Sequence, residues 1–113
     1  MATQLAGPAY WVLTALTEGR RHGYSLLGEV TVLSEGRVEL KVATLYAALE
    51  RLQRQGLVVA DGEEIVDGRA RRYFRLTADG AAALAAEAAR LESDARHAAE
   101  RLRQHGWMPA PAG

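Results

Sequence analysis

The chain has 113 residues, of which 49% are hydrophobic and 25% are charged, a composition typical of one ordinary globular domain with at most one appended element. It has no cysteine, and its three histidines lie far apart in the sequence, which excludes disulfide bonds and thiolate metal sites and leaves no spacing that predicts a metal ion. Its 14 basic and 14 acidic residues give a formal net charge of zero, which excludes a strongly basic coat that binds nucleic acid without specificity.

Targeting and catalytic features are also absent from the sequence. No apolar run approaches the roughly 18 residues of a membrane-spanning helix, and residues 1–5 lack the charged and apolar regions of a signal peptide. We therefore expect a cytoplasmic protein. Glycine-rich phosphate loops and nucleophile–base pairs are missing as well, so the sequence predicts neither an enzyme nor a bound cofactor.

The first predicted helix opens at Gly7-Pro8, because proline is preorganised for the first helical turn, and it ends at Gly19. Its apolar residues recur at helical spacing and predict a buried stripe made of Val12, Leu13 and Leu16. Residues 20–23 then form a predicted turn.

The second predicted helix runs from about Tyr24 to Leu33. Its apolar face consists of Leu26, Leu27, Val30 and Leu33. Gly28 lies inside this helix, where glycine costs roughly 1 kcal/mol relative to alanine, and this predicts close packing on a neighbour. Residues 37–40 alternate in polarity and predict a short strand.

The third predicted helix runs from about Val42 to Gln55 and stops at Gly56. Its buried face carries three leucines at spacings of four and three, Leu45, Leu49 and Leu52. Thr44 and Tyr46 lie on its flanks. The opposite face has short and charged side chains, and it comprises Ala43, Ala47, Glu50, Arg51 and Arg54.

A β-hairpin is predicted next, with Asp67-Gly68 as a favoured two-residue turn. This turn predicts the cross-strand pairs Ala70–Ile65, Arg71–Glu64, Arg72–Glu63, Tyr73–Gly62 and Leu76–Val59. Opposite charges directly across a ladder contribute about 0.2–1 kcal/mol each. Asp61-Gly62 is a second candidate turn or bulge, which leaves the register open. Phe74 and Leu76 share one face and are predicted to enter the core.

The second strand of this hairpin is rich in arginine and has no acidic residue; its arginines are Arg69, Arg71, Arg72 and Arg75. The planar guanidinium group suits phosphates and guanine edges, so the strand is typical of a surface that binds a polyanion. Two other interpretations stay open. The arginines could be present only to neutralise Glu63 and Glu64, or the composition could reflect a codon bias toward alanine, glycine and arginine.

A long final helix is predicted from Thr77, which caps it, to Gly106, which terminates it. At 1.5 Å per residue it is roughly 40 Å long, too long to be covered by the preceding part of the chain. Its apolar residues recur at spacings of four and three, as in a coiled-coil seam. We therefore predict a symmetric homodimer with paired C-terminal helices and an interface made of Leu84, Ala88, Leu91, Ala95, Ala98 and Leu102.

Three helices followed by a β-hairpin form a winged helix-turn-helix, a mainly α fold with a small β-hairpin. We expect a DNA-binding domain in residues 1–76, a dimerisation helix in residues 77–106 and a tail in residues 107–113. In helix-turn-helix proteins the second helix of the motif enters the major groove, and here that is the third helix. The residues available for DNA contacts are Thr44, Tyr46, Arg51 and Arg54 on this helix and Arg69, Arg71 and Arg72 on the hairpin. Few of them read base edges well, which favours recognition of DNA shape and backbone.

Four segments, in this order, resemble the PadR family of bacterial transcriptional regulators: His22-Gly-Tyr-Ser-Leu-Leu27, Ala43-Thr-Leu-Tyr-Ala-Ala-Leu-Glu-Arg-Leu52, Gln55-Gly-Leu-Val58 and Arg72-Tyr-Phe-Arg-Leu-Thr-Ala-Asp-Gly80. The resemblance covers residues from about 8 to 105, and the single C-terminal helix is similar to the small-tailed branch of the family. It implies a winged-helix head, a dimerisation helix and a repressor of stress or drug-efflux operons. The two-fold symmetry of the predicted dimer requires an inverted-repeat operator in double-stranded DNA. We expect the repressor to be released from it by a small molecule or a stress signal.

The resemblance also implies roles for individual residues. Thr44 and Tyr46, in the Thr-Leu-Tyr element, and Tyr24, which opens the second helix, would lie near DNA phosphates. Lys41 stands where the family often has serine or proline, and its ammonium group could meet a phosphate. Some family members bind flat aromatic drugs between tryptophans at the dimer centre, which makes the candidate ligand contacts Trp11 and Trp107.

Three alternatives remain. Trp107 could pack on the last turn of the final helix, and Trp11 could pack against the dimer helix. The neutral net charge and the acidic first strand of the hairpin also fit a protein-interaction adaptor that keeps the winged-helix fold without binding DNA.

Overall fold

The structure, a computed structural model, describes Leu5 and residues 7–111. The elements in this part of the chain are α1 (Gly7–Ala15), a 3-10 turn (Leu16–Glu18), β1 (Arg21–His22), α2 (Gly23–Leu33), α3 (Val42–Arg54), β2 (Val58–Val66), β3 (Arg69–Leu76) and α4 (Ala78–Gln104). Three helices and an antiparallel hairpin, followed by one long helix, confirm the predicted winged-helix fold. We refer to the β2–β3 hairpin as the wing.

The sheet has three strands in the order β1-β3-β2, all antiparallel. The turn predicted for residues 20–23 is therefore wrong in part, because Arg21 and His22 pair with Phe74 and Tyr73. This pairing supplies partners for backbone groups on the outer edge of β3, which β2 cannot reach.

The strand predicted for residues 37–40 is also wrong, since this segment has irregular backbone. The N–H of Val38 donates to the hydroxyl of the buried Ser34, at 3.0 Å, instead of to a neighbouring strand. The alternation in polarity arises because Val38 and Leu40 pack against the core while their neighbours face solvent.

The wing register is confirmed from its turn to the pairs Arg71–Glu64 and Arg72–Glu63. The turn residues Asp67 and Gly68 have φ values of 52° and 75°, as a two-residue hairpin turn with two left-handed positions requires. Beyond these pairs a bulge lies between Ala60 and Glu63. It shifts the register, so that Leu76 faces Val58 and not Val59 as predicted.

The core is formed where the three short helices meet the base of the wing. The leucines predicted for the inner face of α3 are fully buried, as is the stripe predicted for α1, and they pack with Leu26, Val30 and Phe74. The apolar face predicted for α2 is correct except at its end, because Leu33 is exposed. Gly28 does not pack closely on a neighbour as expected: it is exposed, and apart from its own stretch of helix no group in the described part of the chain lies within 4 Å of the place its Cβ would occupy.

The first turns of α4 are attached to the winged-helix domain that precedes the helix, which we call the head. The rest of α4 extends away from the head. The hydroxyl of Thr77 accepts a hydrogen bond from the N–H of Gly80 at 2.9 Å and donates one to the carbonyl of Gly56 at 2.7 Å, which ties the helix to the end of α3. Ala83 and Leu84 pack against the core. Within the described residues, every helix is too short or too polar to span a lipid bilayer.

Candidate nucleic-acid interface

The face of α3 opposite its buried leucines is open to solvent. Lys41, the residue that precedes the helix, is exposed and makes no side-chain capping hydrogen bond. Arg54 donates to the carboxylate of Glu50 at 2.9 Å, and both side chains are mostly exposed. The predicted contact residues on this face are therefore exposed. Arg54 forms an ion pair with Glu50, which the sequence did not predict.

Two of the predicted α3 contacts lie on the side of the helix that faces α1. Thr44 and Arg51 line a shallow groove of about 170 Å³ together with Pro8, Ala9, Ala47 and Ala48. The small side chains of Ala47 and Ala48 allow another backbone to approach this part of α3 closely.

A larger cleft lies between the start of α2, the flank of α3 and the wing. Its volume is about 440 Å³, and we call it the wing cleft. It brings together five of the predicted DNA contacts. Its lining residues are His22, Gly23, Tyr24, Tyr46, Val66, Asp67, Arg69, Ala70, Arg71 and Arg72.

The side of the wing cleft near α2 depends on a contact between Tyr46 and Gly23. A Cβ added to Gly23 would lie 3.0 Å from Cζ of Tyr46 and closer still to its hydroxyl oxygen, so only glycine leaves room for this ring. Next to them, Nδ1 of His22 accepts a hydrogen bond from the N–H of Ser25 and caps α2. Tyr24, 69% exposed, points away from the core at the same helix end.

The wing arginines are not neutralised by the acids opposite them. Within the described residues, none of Arg69, Arg71 and Arg72 has a carboxylate oxygen within 4.0 Å. The guanidinium group of Arg72 lies 5.4 Å from the ring centre of Phe74, where cation–π attraction stabilises it. The register of the predicted charge pairs is correct, but the ion pairs themselves are not formed. Three cationic groups consequently remain available at the cleft.

Sequence reasoning missed a polar cluster on the outer face of the sheet, centred on Tyr73. Its hydroxyl donates to the carboxylate of Glu64 at 2.6 Å, and this hydrogen bond is the main reason why the pKa of the Tyr73 phenol is raised. The guanidinium group of Arg20 lies 4.2 Å from the centre of its ring, and the ring of His22 meets it edge-on at 5.5 Å. No pattern in the sequence places these residues together, because they come from three separate segments.

Comparison with known proteins identifies the family. Residues 12–86 match the model of the transcriptional regulator PadR-like family. The chain is also 38% identical over 93 residues to the transcriptional regulator Rv3488 of Mycobacterium tuberculosis, which covers 82% of this chain and 83% of that protein. The chain belongs to the PadR family. Its members are transcriptional regulators and not enzymes, in agreement with the absence of a predicted catalytic site.

Two solved structures share the fold. A transcriptional regulator from Clostridium thermocellum has a TM-score of 0.70 at 22% identity and covers 81% of this chain and 89% of its own. Bacillus subtilis PadR in complex with operator DNA has a TM-score of 0.62 at 17% identity and covers 97% of this chain and 53% of its own.

The PadR match contains the whole wing cleft, but it ends in the first third of α4. Of the predicted interface residues, Leu84 is half-buried against the core of this PadR protein. The other five are exposed, including Leu91 at 42% and Leu102 at 43%. An apolar stripe therefore continues along α4 after the head has stopped covering it.

The two tryptophans lie outside the PadR match and in different surroundings. Trp11 is half-buried, with the ring of Tyr10 edge-on at 5.3 Å and the guanidinium group of Arg37 at 5.9 Å. The backbone N–H of Trp107 donates to the carbonyl of Leu102 at 2.8 Å, which closes the helix end beyond Gly106. Its side chain is 79% exposed, so the indole does not pack on the last turn of the helix as that alternative predicted.

Proposed function

We propose that this PadR-family protein is a sequence-specific DNA-binding repressor that acts in the cytoplasm as a homodimer on an inverted-repeat operator. The observation that carries the proposal is the wing cleft. It gathers the hydroxyl groups of Tyr24 and Tyr46 and three arginines that have no carboxylate partner in the described part of the chain. Hydroxyl groups, guanidinium groups and the N–H groups at a helix start are the donors that proteins use to hold phosphates.

The proposed binding mode follows from the position of this cleft. α3 enters the major groove, and the wing cleft binds the phosphate backbone beside that groove. Ala43 and Ala47 allow the helix to come close to the base edges, while Lys41 and Arg51 reach toward phosphates on either side. Base-reading side chains are few on this face, so specificity depends largely on the shape and deformability of the operator.

The proposed assembly divides the chain between two tasks. Residues 1–76 form the DNA-binding head, residues 77–106 pair with the same helix of a second protomer, and residues 107–113 form a tail. The uncovered apolar stripe of α4 supports this division, since pairing would bury it. A two-fold axis then places the α3 helices of the two protomers at half-sites about one helical turn, roughly 34–36 Å, apart.

An Arg69→Ala variant tests the wing cleft. Each phosphate contact releases counterions, so removing one such contact per subunit should reduce the slope of log affinity against log salt by about 0.9 per subunit, with little change in base preference. Binding of the upstream intergenic DNA is measured by gel shift or fluorescence anisotropy across a salt series. Arg96→Ala is the matched control, because Arg96 is an exposed arginine on α4 that pairs with Glu92.

The same experiment includes Arg51→Ala on α3. If Arg69→Ala and Arg51→Ala both leave the affinity and the salt slope unchanged on a verified operator, the basic surface has no role in DNA binding. A wild-type protein that binds no DNA from its own intergenic region would favour the interaction adaptor instead.

We further propose that a flat aromatic effector releases the repressor from DNA by stacking on Trp107, with Trp11 as a second candidate contact. The exposed indole at the end of α4 supports this proposal, since indole faces stack readily on planar rings. Titration of planar aromatic compounds should quench tryptophan emission, and Trp107→Ala should abolish the quenching. Because this indole is exposed, the substitution should leave the melting temperature nearly unchanged.

Trp11→Phe is the control for the effector experiment, because it leaves Trp107 as the single tryptophan. Quenching that survives in this variant assigns the response to Trp107, and quenching that disappears assigns it to Trp11. A compound that displaces the protein from DNA while emission stays constant would contradict a ligand role for both tryptophans.

A further inference from the structure

The wing contains an acidic side chain that should neutralise one of its arginines but does not. Glu64 and Arg71 are directly opposite each other in the β2–β3 ladder. Directly opposed residues have Cβ atoms about 4.5–5.5 Å apart, well within reach of an ion pair between two long side chains. Even so, Arg71 has no carboxylate within 4.0 Å in the region covered by the structure.

The Glu64 carboxylate is instead held by a neighbour of Arg71 on the same face of β3. The hydroxyl of Tyr73 donates to Oε2 of Glu64 at 2.6 Å. We propose that Tyr73 is a positioning residue that keeps Glu64 away from Arg71 and so leaves the Arg71 guanidinium group free for a DNA phosphate. This inference rests on the proposed DNA-binding function.

Tyr73 is suited to this task because its own ring is fixed from the β1 edge of the sheet. Arg20 lies over the ring, at 4.2 Å, and also donates to the carbonyl of Asp61 at 3.0 Å. His22, the cross-strand neighbour of Tyr73, meets the ring edge-on. The pKa of the phenol is raised from its ordinary value of 10.0, chiefly by the hydrogen bond to Glu64, so at neutral pH the hydroxyl keeps its proton and remains a donor.

The second charge pair of the wing is separated in a comparable way. Arg72 and Glu63 face each other in the ladder, but the guanidinium group of Arg72 lies over Phe74. On both faces of β3 an aromatic residue two positions along the strand engages one member of the pair, the acid in one case and the base in the other. The wing thus keeps its cationic groups available although its first strand is acidic.

Removal of the Tyr73 hydroxyl should therefore weaken phosphate binding by Arg71, although Arg71 itself is unchanged. Tyr73→Phe keeps the ring that packs between Arg20 and His22 but leaves the carboxylate of Glu64 without its donor. The nearest cation across the ladder is then Arg71, and an ion pair between them would compete with the phosphate. Without that phosphate interaction, the affinity should fall roughly tenfold per subunit at about 0.1 M salt and the salt slope by about 0.9 per subunit.

The experiment compares DNA affinity across a salt series for the wild type, Tyr73→Phe, Arg71→Ala and the double variant Tyr73→Phe/Glu64→Gln, on the same operator fragment. We expect Tyr73→Phe to lose salt slope as Arg71→Ala does, and the double variant to regain it, because glutamine carries no charge to pair with Arg71. Tyr73→Phe/Glu63→Gln is the matched control and should not regain it, since Glu63 faces Arg72. Melting temperatures show whether each variant is folded.

Two results would overturn the inference while leaving the proposed function intact: a Tyr73→Phe variant with wild-type salt slope, or a loss of slope that Glu64→Gln does not restore. A direct hydroxyl contact with DNA would give the first result together with a lower affinity, because a neutral hydroxyl neutralises no phosphate and releases no counterions. A wild-type protein that binds no operator DNA would overturn the proposed function and this inference together.

Discussion

A Leu91→Glu substitution is expected to convert the proposed homodimer into monomers at micromolar concentration. Leu91 is near the middle of the uncovered stripe on α4 and is 42% exposed in the protomer. In a paired helix a carboxylate at this position would be buried without a partner, and an uncompensated buried charge costs roughly 3–5 kcal/mol. Two-fold symmetry places it in the interface twice, so the dimerisation constant should weaken by about four orders of magnitude or more.

Sedimentation equilibrium measures this change directly. Ala89→Glu is the matched control, because Ala89 is an exposed residue of the same helix that lies off the predicted seam, and it adds the same charge to α4. It should remain dimeric. A wild type that sediments as a monomer, or a Leu91→Glu variant that stays dimeric, would contradict the seam.

The same substitution should also weaken DNA binding, although Leu91 is far along the chain from the wing cleft. A monomer can engage only one half-site, and it loses the advantage of holding the second head close to its target. Affinity for an inverted repeat should therefore fall to that for a single half-site. A loss of both properties in one variant would show that DNA binding through the wing cleft depends on dimerisation through α4.

Periodicity predicted the helices well because their burial follows from local spacing. The leucines of α3 and the stripe of α1 are buried where the spacing of their apolar residues placed them. The turn at Asp67-Gly68 likewise determined the register of the wing tip by its own geometry. Each of these features depends on residues close together in sequence.

The errors occur where distant segments decide the outcome. β1 has only Arg21 and His22, and nothing in that pair predicts a strand until the edge of β3 lies beside it. Gly28 was predicted to pack closely because glycine is unfavourable in helices, but its cost does not say whether a neighbour is present. The alternating polarity of residues 37–40 arises because Val38 and Leu40 pack against the core in a segment of irregular backbone, and not because the segment pairs in a sheet.

The candidate site was predictable in its residue types and not in its arrangement. The arginines of β3 stand out in the sequence, and their partners across the ladder follow from the turn. Whether they form ion pairs depends on side-chain competition, which Tyr73 and Phe74 decide here. The contact of Tyr46 with Gly23, which shapes one side of the wing cleft, joins two helices that sequence reasoning treated separately.

The last prediction uses two glycines in helices with opposite surroundings. Gly80 is buried in the first turn of α4, and an added Cβ would lie 2.8 Å from Cδ1 of Leu76 and 3.0 Å from the carbonyl carbon of Leu57. The Leu57 carbonyl cannot retreat freely, since its oxygen accepts a hydrogen bond from the N–H of Thr77 at 3.1 Å. Gly80→Ala should therefore destabilise the fold by about 3 kcal/mol, at the upper end of the usual cost of overpacking.

Gly28→Ala is the matched change, with the opposite expected sign. Gly28 is in the interior of α2, and none of the described residues outside its own stretch of helix lies within 4 Å of an added Cβ, so alanine should stabilise the helix by roughly 1 kcal/mol. Melting temperatures measured at one protein concentration should fall by about 10 °C or more for Gly80→Ala and rise by a few degrees for Gly28→Ala. If Gly80→Ala melts like the wild type, the joint between α4 and the wing is looser than the contacts at Leu57 indicate. α4 could then move relative to the head, and a fixed distance between half-sites would no longer follow from pairing of the α4 helices.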